Sequence, residues 1–233
     1  MRPCSGFPVW FWDFNNDGHL DLYAGSCLWS VRDVAADYLS LPHDAEPDCL
    51  YEGDGQGGFR EVARQQKLTR VTHPMGANFG DLDNDGFPDF YLGTGYPEYS
   101  ALMPNLMFHN LRGNGFADVT TADGFGHLQK GHGVSFADLD NDGDEDVFAQ
   151  LGGAFAGDAF GDALFENPGF GNHWIVVRLV GTDSNRSGIG ARIRLDIDES
   201  GARRSVYKTV NSGGSFGANP LAAASGSWQG RAD

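Results

Sequence analysis

The sequence predicts an all-β fold, and three observations lead there. The 233 residues are punctuated throughout by 34 Gly and 10 Pro, which favours many short strands over long helices. A short apolar segment recurs at an interval of 57 residues. An aspartate-rich loop recurs with it, and residues of strand type lead into and out of each copy.

The apolar segment is Leu50-Tyr51-Glu52-Gly53, then Met107-Phe108-His109-Asn110, then Leu164-Phe165-Glu166-Asn167. The loop starts at Asp13, Asp81 and Asp138, at intervals of 68 and 57. The 11 extra residues of the first interval fall between about Leu28 and Asp48. There Val31, Val34, Ala35, Tyr38 and Leu39 predict a short helix or an excursion from one edge.

In the third repeat, Gly133-Val134-Ser135-Phe136-Ala137 enters the loop and Asp146-Val147-Phe148-Ala149 leaves it. Ala163-Leu164-Phe165-Glu166 follows, and in the repeat before, Gly115-Phe116-Ala117-Asp118-Val119 supplies a fourth segment. Four short strands per repeat is the layout of a propeller blade. One such unit alone leaves a face exposed, so neighbours must stack on it. The predicted architecture is therefore a partial β-propeller of about three four-stranded blades over residues 1–171. A β-rich extension covers residues 172–233. Three blades do not close a propeller, so the expectation is a longer protein or further blades upstream.

Composition narrows the function classes. Hydrophobic content of 40%, with 17 Phe, excludes a disordered acidic tail. The formal charge is −16, from 32 acids against 16 bases, which argues against a nucleic-acid partner. The three loops hold 13 of the 32 acids, and carboxylates at that density repel unless a cation neutralises them. Three Ca²⁺ ions would bring the net charge from −16 to −10. No apolar run approaches the roughly 18–20 residues of a membrane helix, so no membrane span is expected. The first residues do not read as a signal peptide. Cys27 and Cys49 fall within one repeat; a disulfide between them and unpaired thiols are both open readings.

Each loop reads D-x-[DN]-N-D-G-x-x-D. Side chains at positions 1, 3 and 5 converge when the backbone coils tightly, and Gly at position 6 permits the sharp turn. The carbonyl at position 7 can join, and the carboxylate at position 9 closes the shell. Hard oxygen donors in that number suit Ca²⁺. An EF-hand needs a Glu at position 12, where this chain has Ala24, Leu92 and Ala149. Strand residues follow position 9 at once, so each loop joins two strands.

At these residues the sequence resembles the FG-GAP, or VCBS, repeats of integrin α-subunit propellers and of many secreted bacterial proteins. The resemblance implies Ca²⁺ ligands at Asp13, Asn15, Asp17 and Asp21; at Asp81, Asp83, Asp85 and Asp89; and at Asp138, Asp140, Asp142 and Asp146. It implies backbone carbonyl ligands at His19, Phe87 and Asp144. Asn15 in place of Asp is expected to weaken the first site. Further along, Asn172-His173-Trp174-Ile175-Val176-Val177-Arg178-Leu179, Asn185-Arg186-Ser187-Gly188-Ile189-Gly190-Ala191-Arg192-Ile193 and Gly213-Gly214-Ser215-Phe216-Gly217-Ala218-Asn219-Pro220 resemble the ASPIC/UnbV domain. That domain follows VCBS repeats in the cartilage acidic protein family. The tail from Leu221 departs from the family pattern, and truncation is expected there.

Other candidates are weaker. His127 and His132 lie in Gly-rich sequence and read as loop histidines; His109 reads as a strand surface residue. Ser212 to Ser215 read as a turn. Trp10, Trp12, Phe79 and Phe136 precede the loops at strand spacing and read as core. The sequence thus suggests a calcium-binding module, extracellular or in the cell envelope, that meets a protein or glycan ligand and is not an enzyme. The alternatives are part of a polysaccharide-directed propeller enzyme or a calcium-stiffened spacer.

Overall fold

The computed structural model describes residues 3–27, 30–96, 102–153, 155–199, 201–221 and 223–226. All sheets are antiparallel. The first holds β1 (Gly6–Trp12), β2 (Asp21–Ser26), β3 (Cys49–Gly53) and β4 (Phe59–Glu61) in sequence order. The second holds β5 (Pro74–Gly80), β6 (Asp89–Thr94), β7 (Leu106–Asn110) and β8 (Phe116–Asp118) in the same order. The third holds β9 (Gly131–Ala137), β10 (Asp146–Leu151) and β11 (Ala163–Phe165). No sheet is closed. The expected fourth strand of this third unit is not among the described residues.

The 57-residue interval is a register. Leu50 faces Tyr23, Met107 faces Tyr91 and Leu164 faces Phe148. Each unit buries side chains against its neighbour, because a sheet with apolar residues on both faces needs cover on both. Trp10, Trp12, Phe14, Tyr23, Phe90 and Phe116 belong to one core spanning the first two sheets. Tyr91, Met107, Val134, Phe136 and Val147 belong to a second, spanning the second and third. Trp10 stacks on Tyr23 with centroids 4.1 Å apart, and Trp12 stacks on Phe116 across the sheets. The core reading of Trp10, Trp12 and Phe136 agrees with their burial, and Phe79 packs partly buried against the same cluster.

The 11-residue insertion forms α1 (Val31–Tyr38). Ser30 caps it by accepting from the Asp33 amide, while Asp33 accepts in return from the Ser30 backbone, a reciprocal box that satisfies free N–H groups of the first turn. Leu28, at the expected edge of the insertion, lies outside the described residues, as do residues 227–233 of the tail. Cys4, Cys27 and Cys49 are free thiols, so the disulfide reading is not met.

The C-terminal part adds β12 (Trp174–Val177), paired with β15 (Ala223–Gly226), and a hairpin of β13 (Arg192–Glu199) with β14 (Ala202–Thr209). The edge strand β5 lies beside both β1 and β9. Residues 213–219 run along these edges. Ser215 exchanges two backbone hydrogen bonds with Ala77, and the Val134 amide donates to the Phe216 carbonyl. Asn219 accepts from the Phe136 amide and donates to the Phe79 carbonyl. The turn read at Ser212–Ser215 is thus a strand-like seam that satisfies edge groups otherwise left open.

Candidate metal centres

Each aspartate loop closes the hairpin between the first two strands of its sheet. The final ladder pair is the same each time: Trp12 with Asp21, Gly80 with Asp89, and Ala137 with Asp146. The register therefore sets position 9 directly across from the residue before position 1. The glycine at position 6 has φ of 86°, 94° and 96° in turn, a region that costs a residue with a Cβ. The asparagine at position 4 is also left-handed, with φ of 57°, 54° and 65°.

One hydrogen-bond scheme recurs. The position 1 carboxylate accepts from the amides of positions 5 and 6: Asp13 from Asp17 and Gly18, Asp81 from Asp85 and Gly86, Asp138 from Asp142 and Gly143. Position 3 (Asn15, Asp83, Asp140) accepts from the position 5 amide. Position 5 accepts from position 7, so the amides of His19, Phe87 and Asp144 are pinned at 2.7, 2.9 and 2.9 Å. These local turns wrap three side chains around a common centre. Asp81, Asp83 and Asp85 bring one carboxylate oxygen each within 4.8 Å of one another, and so do Asp138, Asp140 and Asp142. In the first loop the third member is Asn15, whose Nδ2 donates to Asp17 Oδ2 at 3.1 Å.

Position 9 is used differently. Asp21 accepts from the amides of Phe14 and Gly53, Asp89 from Leu82 and Asn110, Asp146 from Leu139 and Asn167. All three are buried. They brace the loop to the third strand of the unit or, for Asp146, to Asn167 two residues beyond it.

Three kinds of residue escaped sequence reasoning. His109 is not a plain surface residue: its Nδ1 lies 3.0 Å from Asp89 Oδ1 and its Nε2 4.0 Å from Asp83. Glu52, its counterpart, approaches Asn15 Nδ2 at 3.4 Å. The alignment of Glu52, His109 and Glu166 at one place in the repeat was the available signal. Asn110 and Asn167 join units, each donating to its own loop (Pro88 and Glu145 carbonyls) and to the preceding loop (Phe14 and Leu82 carbonyls). Lys208 on β14 places Nζ 3.0 Å from Asp81 Oδ2, and no local pattern announces it. His127 bonds Gln129 at 2.6 Å away from the loops, whereas His132 sits in strand β9 rather than in a loop.

Crowding shows in the electrostatics. Burial pushes the Asp13 carboxyl up to about 6 and Asp21 to about 7. Burial, with neighbouring carboxylates, takes Asp83 and Asp85 to about 6 and raises Asp89. Burial takes Glu145, whose side chain accepts from the Asp81 amide, to about 7. The hydrogen bond to Asp89 lifts His109 to about 9, so the imidazole is cationic at neutral pH. Converging hard oxygens held at such density fit a divalent cation such as Ca²⁺, which relieves the repulsion.

A comparison with curated proteins finds no match to the chain. Residues 13–92, which run from the start of the first loop through the second loop into β6, match the family described as an FG-GAP-like repeat.

Proposed function

We propose that the chain is a calcium-binding β-propeller module of the extracellular space or cell envelope that engages a protein or glycan ligand. The first two sheets are two blades, the third is a blade of which three strands are described, and the described residues between 172 and 226 form an ASPIC/UnbV-like β domain docked upon them. The observation that carries the reading is the threefold recurrence of one loop geometry, with the same ladder pair and the same amide-to-carboxylate scheme. Asp13, Asn15 and Asp17, Asp81, Asp83 and Asp85, and Asp138, Asp140 and Asp142 would hold the ions, with Asp21, Asp89 and Asp146 closing each shell. Bound calcium would cross-link each loop and so stiffen the rim that meets a ligand. The seam of residues 213–219 along β5 and β9 supports a binding module over an enzyme whose site opens between those edges.

The test is stoichiometry. Equilibrium dialysis against millimolar calcium should find about three ions per chain. Asp83→Ala and Asp140→Ala should each remove one ion, and His127→Ala none. Loss of an ion on His127→Ala, or no uptake at all, would sink the reading.

A further inference from the structure

The three loops are not electrically equivalent. On the second, Lys208 Nζ lies 3.0 Å from Asp81 Oδ2 and Arg112 Nε lies 3.1 Å from Asp85 Oδ2. His109 lies against Asp89 and Asp83 on the same loop. Among the described residues, no Lys, Arg or His forms an ion pair with the aspartates of the first loop, nor with Asp138, Asp140 or Asp142 of the third. The second loop therefore carries its own cations.

Lys208 is no surface accident. Its side chain is 17% exposed and Asp81 is 3% exposed. The hairpin that carries it is fixed at several points. Arg204 Nη2 donates to the Asp85 carbonyl at 2.8 Å, the Tyr207 amide donates to Asn16 Oδ1 at 2.7 Å, and Asn16 Nδ2 donates to the Ser205 carbonyl at 3.1 Å. These contacts, to the first and second loops, hold the ammonium group at Asp81. A buried pair of this kind is costly to break unless another cation takes over the carboxylate.

We propose that Lys208, assisted by Arg112, is a built-in counter-cation of the second loop, so that this loop is the weakest of the three calcium sites and fills only as Asp81 exchanges Lys208 for the metal. The proposal rests on the calcium-binding reading above. It reverses the order expected from composition alone, in which Asn15 makes the first loop weakest. It also links occupancy of one loop to the seating of the β13–β14 hairpin.

Calorimetric titration with calcium tests it, using the full chain with Asp17→Ala and Asp140→Ala so that only the second loop is intact. Both substituted residues are exposed. Adding Lys208→Gln should tighten the remaining site about tenfold or more, because a like charge beside the incoming ion is removed. Lys208→Arg, which keeps the charge, should leave the site weak. Arg112 is half exposed, and Arg112→Gln should tighten binding about threefold. Unchanged or weaker binding in both charge-removing variants would overturn the proposal while leaving the calcium reading intact. A lack of calcium uptake by the unsubstituted chain would overturn both.

Discussion

Asp21, Asp89 and Asp146 occupy equivalent places and satisfy two backbone amides each, one from the loop and one from at or just past the end of a neighbouring strand. Such a carboxylate has a structural duty besides any metal. Asp146→Ala would strand the buried Asn167 amide and the part-buried Leu139 amide, at a cost of about 1–3 kcal/mol even in chelator. Asp140 is exposed and accepts only within its own loop, so Asp140→Ala should change stability in chelator by less than about 0.5 kcal/mol while removing a calcium site. Urea unfolding in chelator separates the two; equal losses would refute the bracing role. The convergence of positions 1, 3 and 5 was legible because it is local, set by a few successive dihedrals and one glycine. The partners of position 9 were not, because they depend on which strand lies alongside.

The same distinction holds for elements. The first two strands of each unit could be read because the loop fixes their ends, and the helix because an 11-residue surplus had to go somewhere. The docking of the β13–β14 hairpin and the seam of residues 213–219 were illegible, since long-range contacts made by Gly, Ser and Asn leave no periodic trace. The seam still makes a firm demand on sequence. A Cβ on Gly214 would sit 2.1 Å from the Ala77 carbonyl oxygen, and one on Gly217 1.7 Å from that of Val134. Backbone cannot yield as a flexible side chain can. Gly214→Ala and Gly217→Ala should each cost about 2–4 kcal/mol, against about 1 kcal/mol for Gly57→Ala, which meets open space. Hydrogen exchange should then show faster exchange at Ala77 and Val134, with Tyr91 on the interior strand β6 unchanged. Continued protection of Ala77 and Val134 would mean the seam does not guard these edges.

At the scale of the whole molecule, the excess of acids makes stability a function of pH and, on the proposed reading, of calcium. Asp13, Asp21, Asp83, Asp85 and Glu145 titrate near 6–7 in the folded chain, against about 4 when unfolded. A raised folded pKa gives stability that is complete below the unfolded value and lost as pH rises through the folded one. His109, raised to about 9 by its hydrogen bond to Asp89, acts in the same direction, losing its contribution as pH climbs through 9. His73 opposes them at the acid end. Burial lowers it to about 4, so its contribution is present above pH ~6.5 and lost as pH falls through 4. The metal-free chain should therefore be most stable near pH 5 and weaken towards pH 8. Each raised carboxylate costs on the order of 1–3 kcal/mol at the upper end. Calcium acts on the deprotonated form, so its benefit should grow over the same range. With Kd on the order of 10⁻⁴–10⁻³ M and calcium about tenfold above it, each filled site adds ~1.4 kcal/mol, or about 4 kcal/mol for three. Magnesium should rescue poorly, because it favours a smaller octahedral shell and keeps its waters. Calorimetric melting in chelator, calcium and magnesium at pH 5, 6.5 and 8 reads all of this at once. The calcium-minus-chelator gap in Tm should widen with pH, and a gap that narrows or vanishes at pH 8 would mean that the loops hold their acids by hydrogen bonding alone.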